Sequence, residues 1–241
     1  METECVALRF TSRRSDSPWV DVVWTCTSDQ VKEMTSVAGV RFGLVFCEYE
    51  GRPYAGVSGP ETAAGTAPVP EGATFVGIEL AIGSSLRTLP SASLVDGGVE
   101  LPDTTRRTFR LAGSRWETPG PDDVEALVEH LVRDGAVVRD PIVGQVMRGG
   151  CPDVSDRTLE RRFRAATGLT RGAVRQIERA REAAYLLAAG KAATDVVASM
   201  GYFDQPHLAR ALRRYIGRTA TQLHEGTGGA IGLDLPQATT S

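Results

Sequence analysis

At residues 117–121, ETPGP, the hydrophobic rhythm of this 241-residue chain changes. Before that point apolar residues tend to recur at every second position; after it they recur at i, i+3, i+4 and i+7. Period two marks a strand with one buried face, and a period of about 3.6 marks an amphipathic helix. Two prolines around a glycine make the junction itself a linker. A chain divided in this way is expected to be α+β, with strands and helices in separate segments. The expected division is a β-rich domain at 1–116, a linker at 117–121, an all-helical domain at 122–225 and a disordered tail at 226–241.

Three runs define the first part. WVDVVWTCT (19–27) is β-branched and aromatic, and VRFGLVFCEY (40–49) places Val40, Phe42, Leu44 and Phe46 on one face. In TFVGIELAI (74–82), Val76, Ile78, Leu80 and Ile82 alternate with Phe75, Gly77, Glu79 and Ala81. With turn signals at EGRP (50–53) and PEG (70–72), these runs predict an antiparallel sheet or a small barrel-like module. SGPETAAGTAPVP (58–70) is a loop by composition, and SSLRTLP (84–90) a short helical or irregular piece. Glu79 is either a buried polar anchor or an outward residue. Trp19 and Trp24, five apart on one strand, face opposite sides.

The second part reads as a series of helices. Asp122 can cap a helix running to Asp134, with Val124, Leu127, Val128 and Leu131 as its apolar stripe. PIVGQVMR (141–148) opens on a proline where the first turn tolerates one. Ser155 caps DRTLERRFRAAT (156–167), and Thr170 caps the long run 171–190, which Gly190 closes. TDVVASMG (194–201), DQPHLARALRRYIG (204–217) and a last turn near 219–224 follow.

Charge is distributed unevenly between the two parts. The net value is −3, yet residues 1–147 hold 13 Lys+Arg against 21 Asp+Glu, whereas 148–225 hold 14 against 8. A basic segment beside an acidic one points to a module that meets a polyanion, carried by a module with another task.

Within the basic segment one unit occurs twice: a short helix, a glycine-containing turn, and an Arg-rich helix. The copies are PIVGQVMR–GGCPDV–SDRTLERRFRAA and TDVVASM–GYF–DQPHLARALRRYIG. This is a helix-turn-helix layout, whose second helix enters the major groove of DNA. In the first copy Leu159, Phe163 and Ala166 form the inward stripe, while Arg157, Arg161 and Arg164 lie on another face. In the second, Leu208, Leu212 and Tyr215 face inward, while His207, Arg210 and Arg214 lie elsewhere, with Gln205 in the first turn. The helix 171–189 between them spans ~28 Å at ~1.5 Å per residue. Recognition helices on one face of B-DNA stand ~34 Å apart, so a rigid connector of this length can bridge them.

Three stretches, VSDRTLERRFRAATGLT (154–170), REAAYLLAAG (181–190) and VVASMGYFDQPHLARALRRYIGRT (196–219), resemble the AraC/XylS family of bacterial transcription regulators over roughly 122–225. The resemblance implies a double helix-turn-helix domain that reads two adjacent major-groove segments. Carried over by position, its contacting places fall on Arg157, Glu160 and Arg161 in the first unit and on Gln205, Pro206, His207 and Arg210 in the second. Arg164 and Arg214, nearer the helix ends, are suited to phosphate. Two positions depart from the pattern: the turn GGCPDV is long, and Val197 stands where a small residue is usual.

Other functional classes lack their residues. The four cysteines are scattered with no Cys-x-x-Cys pair, and His130, His207 and His224 are the only histidines, none within 1–129. Neither a zinc site nor a histidine-based metal site is expected, and no phosphate loop or nucleophile elbow occurs. The expectation is a non-enzymatic, cofactor-free, cytoplasmic and nucleoid-associated regulator. Its expected partners are double-stranded DNA, a small apolar effector in the β-rich domain, a second copy of the chain and, for an activator, RNA polymerase. Gating by protein contact or by concentration, without an effector, is the alternative; an enzymatic first domain ranks last. No membrane partner is expected, since no apolar run reaches the ~20 residues of a span.

Overall fold

A computed structural model describes residues 8–28 and 33–235. In chain order the elements are β1 (Leu8–Arg14), β2 (Val20–Ser28), β3 (Glu33–Ser36), β4 (Gly43–Tyr49), β5 (Arg52–Ser58), β6 (Gly65–Pro68), β7 (Thr74–Leu80), β8 (Ser84–Leu86), a 3-10 turn (Ser91–Leu94), β9 (Gly98–Glu100), β10 (Thr108–Leu111) and β11 (Ser114–Glu117). Then come α1 (Val124–Arg133), β12 (Val137–Arg139), α2 (Pro141–Met147), α3 (Asp156–Thr167), α4 (Arg171–Ala188), α5 (Ala193–Met200), α6 (Gln205–Tyr215) and α7 (Ala220–Glu225).

Six antiparallel strands pair in the order β1-β2-β7-β4-β5-β9, and three two-stranded ladders, β10-β11, β12-β8 and β3-β6, surround them. The β-rich first segment followed by helices is as expected, and of the two forms expected for its strands the described residues build the antiparallel sheet, open at β1 and β9. The β4-β5 hairpin turns on Glu50 and Gly51, both with positive φ (48° and 74°), as a two-residue turn matching the strand twist requires. Gly77 has no alternative: Trp24 lies so close across the strand that a Cβ at position 77 would collide with its indole. Trp24 stacks on Phe10 on that face, while Trp19 packs against the core.

Two apolar clusters hold the chain together, and their boundary differs from the expected domain boundary. The first joins the sheet (Phe42, Leu44, Phe46, Ile78 and Leu80) to the buried stripe of α1, Val124, Leu127, Val128 and Leu131, and to Val137 of β12. Residues 124–139 therefore pack with the sheet rather than with the helical reader. An amphipathic stripe records that a helix has a buried face without recording which core it faces. The second cluster runs from Val143 through α3, α4, α5 and α6, and takes in Val37, Ala38, Val40 and Ile82 from the sheet domain. Within the expected loop 58–70, residues 65–68 form the strand β6, and within the expected helical or irregular piece 84–90, residues 84–86 form the strand β8, each because a partner strand lies beside it. The cap of α1 falls on Asp123, without a side-chain bond.

The expected tail is also partly built into the fold. Ile231, Leu233 and Leu235 pack on the second cluster, and the backbone at Thr35 exchanges bonds with Ala230 (2.9 Å) and Gly232 (2.8 Å). Residues 236–241 lie outside the described part.

Polar contacts lock the sheet onto the helices at α4. Arg41 donates from Nε to Asp21 (2.7 Å) and from both terminal nitrogens to Glu178 of α4 (2.9 and 3.1 Å). Glu79 lies 3.8 Å from Arg41 and 3.7 Å from Arg181, which also donates to the Ala38 carbonyl. Glu79 is thus an anchor between domains. Burial alone would lower the Arg41 pKa; Glu178, Glu79 and Asp21 together outweigh it and hold the guanidinium above its ordinary value.

Arg41 keeps only 19% of its side chain exposed. Removing one partner of a buried charge cluster costs roughly 3 kcal/mol. Arg41→Ala is expected to lower unfolding stability by about that amount in urea titration, with Arg41→Lys intermediate because a lysine cannot grip Glu178 with two nitrogens.

Candidate nucleic-acid interface

The first helix-turn-helix unit is organised by Asp140. One carboxylate oxygen accepts from the Ile142 and Val143 amides (2.9 and 3.2 Å), capping α2, and the other accepts from Arg162 of α3 at 2.8 Å. That single side chain both starts α2 and ties α3 to it. The connection between the helices is long, as the sequence indicates: α2 ends through Gly149 at φ 83°, and the chain runs on to Ser155, whose hydroxyl accepts from the Thr158 amide. The long turn does not separate the helices, because the Asp140–Arg162 pair bridges them directly.

The second unit has a compact turn. α5 ends on Gly201 at φ 68°, and Asp204 caps α6 by accepting from the His207 amide at 2.7 Å. Arg179 of α4 supports this turn in two ways. Its guanidinium lies 4.4 Å over the Tyr202 ring, and it donates to the Gly201 carbonyl at 3.3 Å. Farther along, Tyr215 donates to Gln176 of α4 at 2.8 Å. One helix therefore carries both units, its buried seam being Val174, Ile177, Ala180, Ala184 and Leu187.

The expected inward stripes are buried: Leu159, Phe163 and Ala166 in α3, and Leu208, Leu212 and Tyr215 in α6. Arg157, Arg161 and Arg164 are exposed on α3, and Gln205, Pro206, Arg210 and Arg214 are exposed on α6. Among the described residues Arg157, Arg161, Arg164 and Arg210 have no ion-pair partner, whereas Arg162 of the same face region is held by Asp140. Two expected contacts sit differently. Glu160 is half-buried, and its Oε2 is shielded from solvent without a hydrogen-bond partner. His207 is half-buried against the Tyr202 ring, and its Nδ1 accepts from the Phe203 amide at 3.4 Å. Arg214 folds toward Tyr215, 5.2 Å from the ring centre.

Both recognition helices end on the sheet domain. Gly168, the cap of α3, fits where a Cβ would strike Val95 and the Ser91 carbonyl. At the end of α6, the Arg214 and Tyr215 carbonyls accept from the Ala64 and Ala38 amides, each at 2.8 Å. Their first turns, with Arg157 in one and Gln205 and Pro206 in the other, remain exposed. In DNA-reading units the N-terminal residues of the recognition helix meet base edges. The sheet domain thus grips the ends that such reading does not use.

Residues 153–226 match a family model described as a helix-turn-helix domain, of the AraC type. The match begins in the turn before α3 and runs through α7, leaving α2 outside it. It supports a DNA-binding transcription regulator. No curated protein and no solved structure matches the chain.

Asp140→Asn separates the two tasks of Asp140, since asparagine still caps a helix but cannot neutralise Arg162. The expected result is a small loss of overall stability, about 1 kcal/mol, together with weakened binding to duplex DNA. Asp140→Ala is expected to lose the cap as well, and about 1 kcal/mol more.

Proposed function

We propose that this chain is a sequence-specific transcription regulator which reads two adjacent major-groove segments and is gated through its sheet domain. The observation that carries the DNA reading is the equivalent presentation of two Arg-rich helices by one connector. In each, exposed arginines (Arg157 and Arg161, or Arg210) extend from a helix seated on α4. The 18 residues of α4 set a span of ~27 Å at ~1.5 Å per residue. In this reading Arg161 and Arg210 contact guanine edges, Gln205 an adenine, and Arg157, Arg164 and Arg214 the backbone. Pro206 sets the first turn of α6. Glu160 and His207 shape their units rather than specify bases, because one is shielded and the other is engaged in its own turn. Such a protein acts by binding, without catalysis or a cofactor, and meets its DNA in the cytoplasm.

Sensitivity to salt and to single arginines tests this. Each phosphate neutralised contributes ~0.9 to the log–log slope of affinity against salt, so the full chain should bind duplex DNA with a steep slope. Arg161→Ala and Arg210→Ala should each lose ~1–3 kcal/mol of discrimination, at positions about one helical turn apart. Unchanged preferences in both variants would discard the assigned reading faces.

Gating is supported by a cavity of about 470 Å³ between β5 and the β3-β6 ladder, with Tyr54, Val57, Glu61, Thr66 and Asp96 in its walls. Its lining includes Ser36 and Ala63, adjacent in sequence to residues that hold the end of α6 and the 230–232 segment. A molecule that reshapes these walls would move the seat of a recognition helix, which is the differential affinity that coupling requires. Among the described residues the walls carry Glu61 and Asp96 and no arginine, lysine or histidine, so a neutral or cationic ligand suits them better than an anion. Burial raises the Glu61 carboxyl above its ordinary pKa, Asp96 adding to it, against the Ser36 hydroxyl that donates to Glu61. The expected outcome of a thermal-shift screen is stabilisation by neutral or amine-bearing compounds, with operator affinity shifted several-fold and the response weakened in Glu61→Gln. Stabilising compounds that leave operator affinity unchanged would favour gating by protein contact.

A further inference from the structure

Among the described residues, two large hydrophobic side chains stand exposed: Tyr54 at 37% and Phe203 at 90%. A phenyl ring so open adds nothing to the stability of its own domain, yet the backbone that carries it is tightly fixed. On one side, Gly201 accepts from Arg179, and Tyr202 is buried beneath the same guanidinium. On the other, Asp204 caps α6. The Phe203 amide itself donates to His207. The ring therefore leaves the molecule from a rigid turn, at the head of the second recognition helix, next to Gln205.

We propose that Phe203 is a specificity-determining residue of the second unit, its ring packing against the C5-methyl group of a thymine in the major groove. This rests on the DNA reading above. The surroundings decide between DNA and a protein partner. A stable protein interface buries on the order of 1,000 Å² or more, with an apolar centre. Phe203 stands alone in this respect, flanked by Gly201, Asp204, Gln205 and Pro206 with no second exposed large hydrophobic beside it. One apolar side chain without apolar company has its complement in the thymine methyl, the single apolar group on a polar groove edge. Geometry limits where that thymine lies. Two residues of chain reach ~7 Å, about two base steps of ~3.4 Å, so it falls within about two base pairs of the base read by Gln205.

Replacing thymine by uracil deletes the methyl and nothing else. The full chain is used to select its preferred duplex from random sequence, and each thymine of the α6 half-site is then exchanged singly for uracil. For the wild type, one position is expected to lose about fourfold in affinity, the effect of roughly one methylene-sized group. Phe203→Ala is expected to bind the thymine duplex correspondingly more weakly and to show no uracil effect at that position, and Phe203→Leu to keep part of it. Because the ring is exposed, thermal melts should show all three proteins equally folded. Wild type with a selected site but no uracil-sensitive position, or an alanine variant that keeps the sensitivity, overturns the proposal and leaves the DNA reading standing. Failure of the wild type to select any site overturns both. An alanine variant with unaltered DNA binding but lost transcriptional output overturns it in favour of a protein contact.

Discussion

The guanidinium of Arg41 is the point on which the arrangement of the two domains turns. It emerges just before β4, takes the Asp21 carboxylate from β2, approaches Glu79 of β7, and grips Glu178 of α4 with two nitrogens. A planar fork fits a carboxylate in one orientation only, so the pairing fixes the rotation of α4 about its axis as well as its distance from the sheet. Everything the helical segment presents depends on that rotation, because α4 supports both helix-turn-helix units.

From α4 outward the design is one of holding helix ends and leaving helix beginnings open. Asp140 and Asp204 cap α2 and α6, and Ser155 caps α3, so each entry is set by a short polar side chain. The far ends of α3 and α6 are seated on the segment 91–95 and on Ala38 and Ala64. Exposed arginines lie between a fixed start and a fixed end, so little chain entropy is left to lose when they meet a ligand. The sheet domain is in this sense part of the reader's frame.

Much of this was legible in the sequence. Strands β2, β4 and β7 follow alternation, and the boundaries of α3 agree to the residue because Ser155 and Gly168 are unambiguous start and stop signals. What escaped was whatever depends on a partner distant in the chain. The stripe of α1 is plain, but its burial on the sheet is a tertiary choice. β6 and β8 are short, rich in Gly, Ala, Ser and Pro, and become strands only because β3 and β12 lie beside them. Ile231, Leu233 and Leu235 alternate in the tail, but three apolar residues among glycines do not show which core they join. At the site, the arginines were found by their spacing, whereas Asp140 and Phe203 were not. The signal for Asp140 was there, an acidic residue directly before a proline at a helix start; no periodicity marks a lone exposed ring.

The pairing of Thr35 with the backbone at 230 and 232 has a consequence for how the chain is made. Val37, Ala38 and Val40 belong to a cluster completed only by α4, α6 and Leu233. On the ribosome, at about 5–20 residues per second, some 10 to 40 s separate the synthesis of these neighbours. Throughout that interval the strip following β3 is an apolar surface without its cover, while the first cluster can already close around α1. Assembly of the reader therefore follows closure of the first cluster. A chain cut before α4 would leave the sheet domain with its docking strip open, a species suited to chaperones rather than to DNA.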